Sequence, residues 1–283
     1  MTFIDFAHLS CCRDIWPIPV KKWHQSLKQR CSKKDSIILE ISGLDSFGAA
    51  ILFSKNTKNT ILIPTMAIIP TEHGDRNITI RQAARVLNKR LECDFINPFV
   101  KLCDLRLWSI LNGRYIASLI KAFGTYSPCI GCHVYVHTLR VALAKMIGVK
   151  MIITGERLMH DEKVKINQTS ISLSAHEEFF NEYGIMLKLP LKDIHEGEKI
   201  KTIVGVPYKK DDELCCVFQS NLYDQRGTVF DISKLEQYYC QFVIPVAKAY
   251  IDWLTACWDG AIESHREKEL FNMIEGRIFI DHN

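Results

Sequence analysis

The sequence of 283 residues has no apolar run that is long enough to cross a membrane. Its longest apolar stretch, residues 61–69, contains Pro64 and falls well short of the roughly 20 residues that a transmembrane helix needs. The N-terminus is polar within five residues and carries no basic segment followed by an apolar one, which is the pattern of a secretory signal. We therefore expect a cytoplasmic protein without a membrane partner.

A closed set of disulfides is a second feature that the sequence does not favour. The chain has 11 cysteines, and an odd number argues against a complete disulfide framework. Many thiols in a chain without a secretory signal indicate a compartment that keeps them reduced. Internal repeats and low-complexity tracts are also lacking. The cysteines are therefore candidates for core packing or for metal chemistry.

A strong excess of charge is lacking as well, because the net charge is only +4, but the charge is unevenly spread. Between residues 13 and 34, a single acid, Asp14, stands among basic residues that are interleaved with Trp16 and Trp23. The basic residues are Arg13, Lys21, Lys22, Lys28, Arg30, Lys33 and Lys34. Such a stretch suits an RNA or phosphate surface. It also fits the solvated side of an amphipathic helix, residues 20–31, beside the core.

The most informative stretch, residues 36–52, predicts a strand, a short loop and the start of a helix. Residues 37–41 are largely apolar, as in a strand that is buried on both faces of a parallel sheet. Ser42, Gly43, Asp45 and Ser46 then break the run, and a helical pattern begins at Phe47. Free backbone amides at a helix start attract phosphate. An ordinary strand–helix turn that is capped by Ser46 fits the same residues.

Alternating strand and helix patterns predict an α/β fold with a doubly wound, mostly parallel sheet. The further predicted strands are residues 60–69, 93–97, 151–153 and 185–189. The further predicted helices are residues 79–91, residues 105–123, a helix that runs from the segment 127–133 to Ile147, and a short helix within residues 190–206. Capping boxes predict two more helices, which begin at Ser174 and Ser233.

A Cys-x-x-Cys pair, Cys129 and Cys132, opens the helix that runs to Ile147. Two thiolates at this spacing can face one metal, and they also occur as redox dithiols. A third thiol can come from Cys215 or Cys216, and strand alternation turns these two to opposite faces. We favour Cys216. A zinc site that is completed by His133 or His137 is an alternative, and so is simple packing of the thiols.

A polar segment follows the strand at residues 151–153. Thr154 and Gly155 end this strand, at the edge where doubly wound sheets bind their ligands. Charges and amides suited to phosphate or magnesium come next, on Arg157, Asp161, Lys165 and Asn167. A solvated loop before the next helix would look the same.

In this order along the chain, the loop, the Cys-x-x-Cys pair and the late cysteine resemble the PP-loop family of N-type ATP pyrophosphatases. That family has the pattern Ser-Gly-Gly-any-Asp-Ser after its first strand. Here Ile41 stands at the first serine and Ser42 at the first glycine, and the match continues as Gly43-Leu44-Asp45-Ser46. The three cysteines resemble those of the iron–sulfur branch of PP-loop tRNA thiolation enzymes. Glu156 stands where that family frequently has a histidine.

The resemblance implies an ATP-dependent sulfur transferase that adenylates a substrate carbonyl, with a tRNA base as the acceptor and with Mg²⁺ and a sulfur donor as further partners. It implies ATP contacts from Ser42, Gly43, Asp45, Ser46, Thr154 and Gly155. It implies a [4Fe-4S] cluster on Cys129, Cys132 and Cys216, and catalytic roles for Asp45, Cys129 and Cys132. The alternatives are a sulfur transferase or amide-forming ligase for a small molecule, and a non-catalytic zinc-bearing module that binds RNA or a partner.

The pattern divides the chain into a basic N-terminal leader at residues 1–35, a PP-loop-like domain at 36–223 and a C-terminal helical segment at 224–283. The last segment is rich in large apolar residues from Tyr238 to Trp258, and Pro245 should kink its helix. We expect so aromatic a helix to pack on the core or on a second copy of the chain, as in a homodimer.

Overall fold

A computed structural model of the chain describes residues 2–32, 34–55, 57, 59–96, 99–208, 213–218, 222–223, 231–262 and 267–278. The strands are β1 (Thr2–Asp5), β2 (Asp35–Glu40), β3 (Thr60–Ala67), β4 (Glu72–His73), β5 (Asp94–Phe95), β6 (Val100–Cys103), β7 (Met151–Ile153), β8 (Val164–Lys165), β9 (Met186–Lys188), β10 (Cys215–Cys216) and β11 (Leu222–Tyr223). The helices are α1 (Ile18–Cys31), α2 (Leu44–Ser54), α3 (Arg76–Arg90), α4 (Leu105–Ser109), α5 (Ile116–Phe123), α6 (Pro128–Ile147), α7 (Ser170–Glu182), α8 (Gly197–Val204), α9 (Leu235–Tyr238), α10 (Ile244–Trp258) and α11 (Glu267–Glu275).

Seven strands form one sheet in the order β1-β6-β3-β2-β7-β9, with β5 paired to the first half of β3. Every pair within this sheet is parallel. Chain order runs outward from β2 in both directions, because β3 and β6 lie on one side and β7 and β9 on the other. The prediction of an α/β, doubly wound, mostly parallel fold is confirmed.

Helices cover both faces of the sheet. On β2, Ile38 belongs to one buried cluster, whereas its neighbours Ile37 and Leu39 belong to the other, as strand alternation requires. The first cluster includes residues of α6, α7 and α10, and the second includes residues of α2, α3 and α8. Because both faces are buried, the central strands are apolar throughout, which is why β2 and β3 were predictable as short apolar runs.

Several elements differ from the sequence prediction. The helix predicted over 105–123 is divided into α4 and α5 by a π-helical turn, Ile110–Arg114. Helix α7 begins at Ser170 rather than Ser174, because the Thr169 side chain accepts a hydrogen bond from the Ser172 amide and caps it there. Asp231, not Ser233, caps the turn before α9. Strands β1 and β6 were not predicted.

Both ends of the chain contribute to the cluster that includes α6. Strand β1 pairs with β6 at the edge of the sheet, and Phe6 and Trp16 are buried in that cluster. Helix α10 is buried there too, and the indole nitrogen of Trp258 donates a hydrogen bond to the Leu9 carbonyl at 2.6 Å. The predicted division at residues 35 and 223 stays a prediction, and residue 224 lies outside the described residues.

Helix α10 follows a π-helical turn, Tyr239–Val243, and Pro245 lies in the first turn of α10, while the kink at Pro245 stays a prediction. Within the described ranges, no helix is both long enough and apolar enough for a membrane crossing.

Candidate functional site

A cavity of about 920 Å³ opens at the carboxyl edge of the sheet, where the loops after β2 and β7 meet the start of α6. Ser42, Gly43 and Asp45 line it from the loop after β2. Cys132 lines it from α6, and Gly155 from the loop after β7. The structure therefore brings together three segments that the sequence analysis had selected separately.

Ser46 shapes the loop between β2 and α2 from inside. Its buried hydroxyl accepts hydrogen bonds from the amides of Ser42 and Gly43, at 3.1 and 3.2 Å, and donates one to the Gly43 carbonyl at 2.6 Å. Ser42 and Gly43 face the cavity beside the first turn of α2. Ser46 thus fixes the loop conformation, while its neighbours and the helix start provide the surface that a phosphate could contact.

Gly155 lies against the backbone of this loop. A Cβ atom at Gly155 would come within 2.5 Å of the Ser46 nitrogen and 2.6 Å of the Asp45 carbonyl carbon, closer than real Cβ contacts allow. Thr154, one residue earlier, is buried, and its hydroxyl donates a hydrogen bond to Oε2 of Glu156 at 3.3 Å. Gly155 is therefore a packing partner of the loop, whereas the Thr154 side chain supports Glu156.

The Asp45 carboxylate faces two cationic or potentially cationic side chains. Arg157 Nε lies 3.1 Å from Asp45 Oδ2, and His160 Nδ1 lies 3.6 Å from the same oxygen. Burial and the nearby Lys165 lower the pKa of His160 to about 4, so His160 is neutral at neutral pH. Burial also lowers the pKa of Lys165. Asp45 is thus held by Arg157 at the cavity wall.

Asp161 and Asn167, which the sequence analysis selected from the same segment, both interact with other parts of the protein or lie buried in it. The Asp161 carboxylate accepts a hydrogen bond from the Gly197 amide at 2.7 Å. Asn167 is fully buried in the turn before α7, and neither of its side-chain polar atoms has a hydrogen-bond partner among the described residues. Only Asp161 of these two lines the cavity.

The cysteine pair stands at the start of α6, and the antiparallel pair β4–β10 carries the third candidate. Cys216 lies opposite Glu72 in this pair, whereas Cys215 is exposed. Burial, together with charge repulsion from the thiols of Cys129 and Cys216, raises the pKa of Cys132 to about 12. Cys132 accepts a hydrogen bond from the indole nitrogen of Trp108 at 3.3 Å. The three thiols selected from the sequence are therefore electrostatic neighbours.

A second group of ligand-type side chains surrounds Glu156. Oε1 of Glu156 lies 2.9 Å from Nδ1 of His133, 3.1 Å from Nε2 of His137 and 3.8 Å from Nδ1 of His176. Although burial alone would raise it, the charge of His137 and the histidine hydrogen bonds hold the pKa of Glu156 well below its ordinary range. Burial and the neighbouring His137 lower the pKa of His176.

These histidines bear on the zinc alternative. Among the described residues, the only three side chains of ligand type whose donor atoms all lie within 4.8 Å of one another are His133, His137 and Glu156. Both histidines therefore turn to Glu156 rather than completing a compact site with the cysteines.

Sequence reasoning missed this arrangement around Glu156. The spacing of His133 and His137, one helical turn apart on α6, was the available signal, because residues i and i+4 share a face. No local pattern marked His176, which lies within the stretch that suggested a capping box. The pair of Asp45 and Arg157 joins residues 112 positions apart, so it too could be found only in the fold.

Solved structures with a similar chain path have low sequence identity to this protein. A 4-thiouridine synthetase in complex with RNA and ATP is 18% identical with a TM-score of 0.47, over 78% of this chain and 54% of that one. The U34-tRNA thiolase NcsA of Methanococcus maripaludis, with its [4Fe-4S] cluster, is 14% identical with a TM-score of 0.43, over 91% and 78%. This chain thus spans about half the length of the synthetase.

The seven-stranded sheet, with a strand–loop–helix unit at its centre, has the α/β, doubly wound arrangement that the resemblance implies. No family model matches the sequence. A curated sequence does match: the uncharacterized protein MJ0009 of Methanocaldococcus jannaschii is 34% identical over 220 residues, which are 76% of this chain and 79% of that protein. The chain belongs to the same protein family as MJ0009 of Methanocaldococcus jannaschii.

Proposed function

We propose that this protein is an ATP-dependent sulfur transferase that adenylates a carbonyl oxygen of a tRNA base and replaces that oxygen with sulfur. The observation that carries the proposal is the single cavity that is lined both by Ser42 and Gly43 of the loop and by Cys132 of the Cys-x-x-Cys pair. Its volume of about 920 Å³ lies at the upper end of the range for ligand pockets, roughly 300–1,000 Å³, and suits a nucleotide with part of a second substrate.

The loop end of the cavity supports ATP binding. Ser42 and Gly43 would contact phosphate oxygens at the start of α2, where the helix dipole favours negative charge. Arg157, Lys165 and Lys201 line the same cavity and bring positive charge. Asp45 offers a carboxylate for Mg²⁺, the hard cation that accompanies ATP. Ser46, Thr154 and Gly155 support the loop and its surroundings.

Adenylation makes a poor leaving group a good one. The carbonyl oxygen of the base attacks the α-phosphorus, the bond to the β-phosphate oxygen breaks and pyrophosphate leaves. A sulfur nucleophile then attacks the activated carbon, and AMP departs with the original oxygen. The loop amides and the cavity cations would stabilise charge on the phosphates in both steps.

The cysteine end fits a [4Fe-4S] cluster held by Cys129, Cys132 and Cys216. Thiolates are the ligands of such clusters, and their mutual repulsion here would be relieved by a bound cation. The hydrogen bond from Trp108 is of the kind that tunes cluster sulfur ligands. When bound, the cluster would supply an iron without a protein ligand as the place where the transferred sulfur is held.

The basic helix α1 is the candidate contact for tRNA, and it lies away from the cysteines. His24 of α1 contacts the Met146 carbonyl at 2.9 Å, near the far end of α6. Cys132 and Met146 are 14 residues apart, which corresponds to about 21 Å along a helix. A tRNA bound at α1 would therefore have to extend to the cavity, where its base would react. An external sulfur donor would have to deliver sulfur at the cavity.

The test is iron, acid-labile sulfide and zinc content of anaerobically purified protein, together with ATP-dependent AMP formation on unmodified tRNA. We expect iron and sulfide in the wild type, and their loss in Cys129→Ala, Cys132→Ala and Cys216→Ala. Cys215→Ala is the matched control, because this neighbouring thiol is exposed, and it should keep the cluster.

If the protein contains no iron after reconstitution, the proposed cluster is wrong. If AMP formation does not depend on tRNA but increases with a small carbonyl compound, the small-molecule sulfur transferase or the ligase is favoured. Stoichiometric zinc without any ATP turnover would favour the non-catalytic module.

A further inference from the structure

We propose that His133, His137 and Glu156 form a binding site for one divalent transition-metal ion, separate from the three thiols and open to the cavity. This inference does not depend on sulfur transfer, because it concerns other residues and a different kind of ligand. The three side chains come from α6 and from the loop after β7.

The distances suit a shared ion. Ligand atoms that each lie about 2.0–2.2 Å from a tetrahedral zinc ion are separated by roughly 3.3–3.6 Å, so a bound ion would push these side chains apart by only about half an ångström. Nδ1 of His133 and Nε2 of His137 lie 2.9 and 3.1 Å from Oε1 of Glu156, and the three donor atoms lie within 4.8 Å of one another. The site needs no backbone rearrangement to bring its ligands together.

The donor chemistry also suits a transition metal. Two imidazoles and one carboxylate are the protein ligands of many zinc enzymes and of mononuclear iron(II) sites. Residues i and i+4 on a helix present two imidazoles on one face, and the strand end supplies the carboxylate from the other side. Thr154 donates to the remaining oxygen, Oε2, at 3.3 Å, as an outer partner that fixes a ligating carboxylate.

Hydrogen bonds account for only part of the same group. Oε1 of Glu156 can accept hydrogen bonds from neutral His133 and His137, at 2.9 and 3.1 Å, but the third imidazole, His176, is left out. Nδ1 of His176 lies 3.8 Å away, fully buried and without a hydrogen-bond partner among the residues described. If Nε2 of His176 donates to the Tyr239 hydroxyl, its Nδ1 lone pair faces the carboxylate oxygen. A cation between them would turn this repulsion into attraction.

The site has one accessible side. The His133 side chain is 26% exposed, whereas His137 and Glu156 are 1% and 3% exposed, and His133 and Glu156 line the cavity. An ion held there would keep a coordination position toward bound substrate, which is the arrangement of catalytic rather than structural metal sites. In that position a dication polarises a substrate oxygen.

The experiment is a Zn²⁺ titration of metal-free protein in the background Cys129→Ser, Cys132→Ser and Cys216→Ser, with no ATP and no tRNA. We expect one equivalent of zinc. His133→Ala and Glu156→Gln should each weaken binding on the order of 100-fold, because each removes a direct ligand, and direct ligands matter at least as much as the outer partners whose loss costs 10–100-fold. His8→Ala is the control, since His8 is 82% exposed and should leave binding unchanged.

The triple-serine protein must first keep the circular dichroism spectrum of the wild type. If it does not fold, the same substitutions are compared in the wild-type background, where His133→Ala should lose one metal equivalent and His8→Ala none. X-ray absorption at the zinc edge should show nitrogen and oxygen neighbours without sulfur. No zinc binding in the folded triple-serine protein, or equal binding by His133→Ala, overturns the proposal, whatever the outcome for iron.

Discussion

The two ends of the cavity are built in opposite ways. At the loop end, the important residues are consecutive, and their polar groups are satisfied within the protein by Ser46 and by the pair of Asp45 with Arg157. The α6 end joins the thiols and imidazoles of one helix to partners from distant parts of the chain, Glu156, His176 and Cys216. Several polar atoms there have no hydrogen-bond partner among the described residues, including Nδ1 of His137 and of His176.

The two ends therefore require different things from a ligand. The loop end is already held in shape, so a bound nucleotide would add contacts without creating the site. The α6 end carries crowded donors, and burial together with neighbouring thiols raises the pKa of Cys132 to about 12. Bound metal would supply the missing positive charge. Substitutions at the loop end should therefore disturb the fold of the protein without ligand, and those at the α6 end should act mainly through charge.

Gly155→Ala tests the loop end with the largest expected effect. The added Cβ would meet backbone atoms of Asp45 and Ser46 at 2.6 and 2.5 Å, and backbone cannot move aside as a flexible side chain can. We expect the free energy of unfolding to fall by about 3 kcal/mol, as for severe overpacking, and ATP affinity to fall at least about tenfold. Urea denaturation and calorimetric ATP titration measure the two effects.

Gly113→Ala is the matched control for Gly155→Ala. A Cβ at Gly113 would meet nothing closer than the Ser109 hydroxyl at 3.7 Å. It should change ATP affinity little. Equal ATP affinity in Gly155→Ala and the wild type would mean that the nucleotide does not contact this loop.

Asp45→Asn removes one charge from the loop end and keeps its shape. Arg157, whose side chain is 6% exposed, would lose its ion-pair partner at 3.1 Å. We expect a loss of about 2 kcal/mol in the free energy of unfolding, below the usual cost of breaking a buried pair because Asp45 is itself 29% exposed. Magnesium-dependent ATP binding should weaken. The amount of metal bound at the cysteines, measured by atomic emission, should be unchanged. Loss of that metal would contradict the independence of the two ends.

Sequence patterns predicted the loop end because its residues are neighbours along the chain. A buried strand, a polar break and a helix start identify β2, the loop and α2 without knowledge of the fold. The same reasoning located Cys129 and Cys132, which are three positions apart at the start of α6. It failed to show that Thr154 turns to Glu156, since side-chain direction at a strand end depends on tertiary packing.

The α6 end was only partly predictable, because its partners come from elements that meet across the sheet. Alternation in a strand separated Cys215 from Cys216, but only the pairing of β10 with β4 identifies their neighbours. Strand β1 was missed for a related reason: it is short and pairs at the sheet edge with β6, which was itself too short to predict. Glu156 looked like a departure from a family pattern, whereas in the fold it lies among three histidines.

Glu72→Gln tests the charge at the α6 end. Burial raises the pKa of Glu72 from 4.5 to about 7, so the folded protein favours the protonated form. The stabilisation that comes from protonating the Glu72 carboxyl in the folded protein is complete below pH 4.5 and is lost as the pH rises through 7. At pH 8 the variant, which cannot ionise, should be more stable than the wild type by about 2–3 kcal/mol, since a rise in pKa from 4.5 to about 7 corresponds to roughly 3.4 kcal/mol, and at pH 5 by less than about 1 kcal/mol. Glu178→Gln, on the exposed side of α7, should show no such change in denaturation curves at either pH.

Trp108→Phe is the smallest and most local change at the α6 end. Trp108 donates its indole hydrogen to the Cys132 sulfur at 3.3 Å, which lowers the pKa of a thiol that burial holds near 12. Without this donor the thiolate is less stable, so alkylation of Cys132 in metal-free protein at pH 9 should slow by a few fold, as expected for loss of about 1 kcal/mol. Mass spectrometry resolves the rate at Cys132 from those of the other cysteines. Trp23→Phe, on α1, should leave the rate unchanged. If alkylation of Cys132 slowed equally in Trp108→Phe and Trp23→Phe, the cause would be a general change in the folded protein and not the lost hydrogen bond. The α6 end would then not differ from the loop end in the way proposed here.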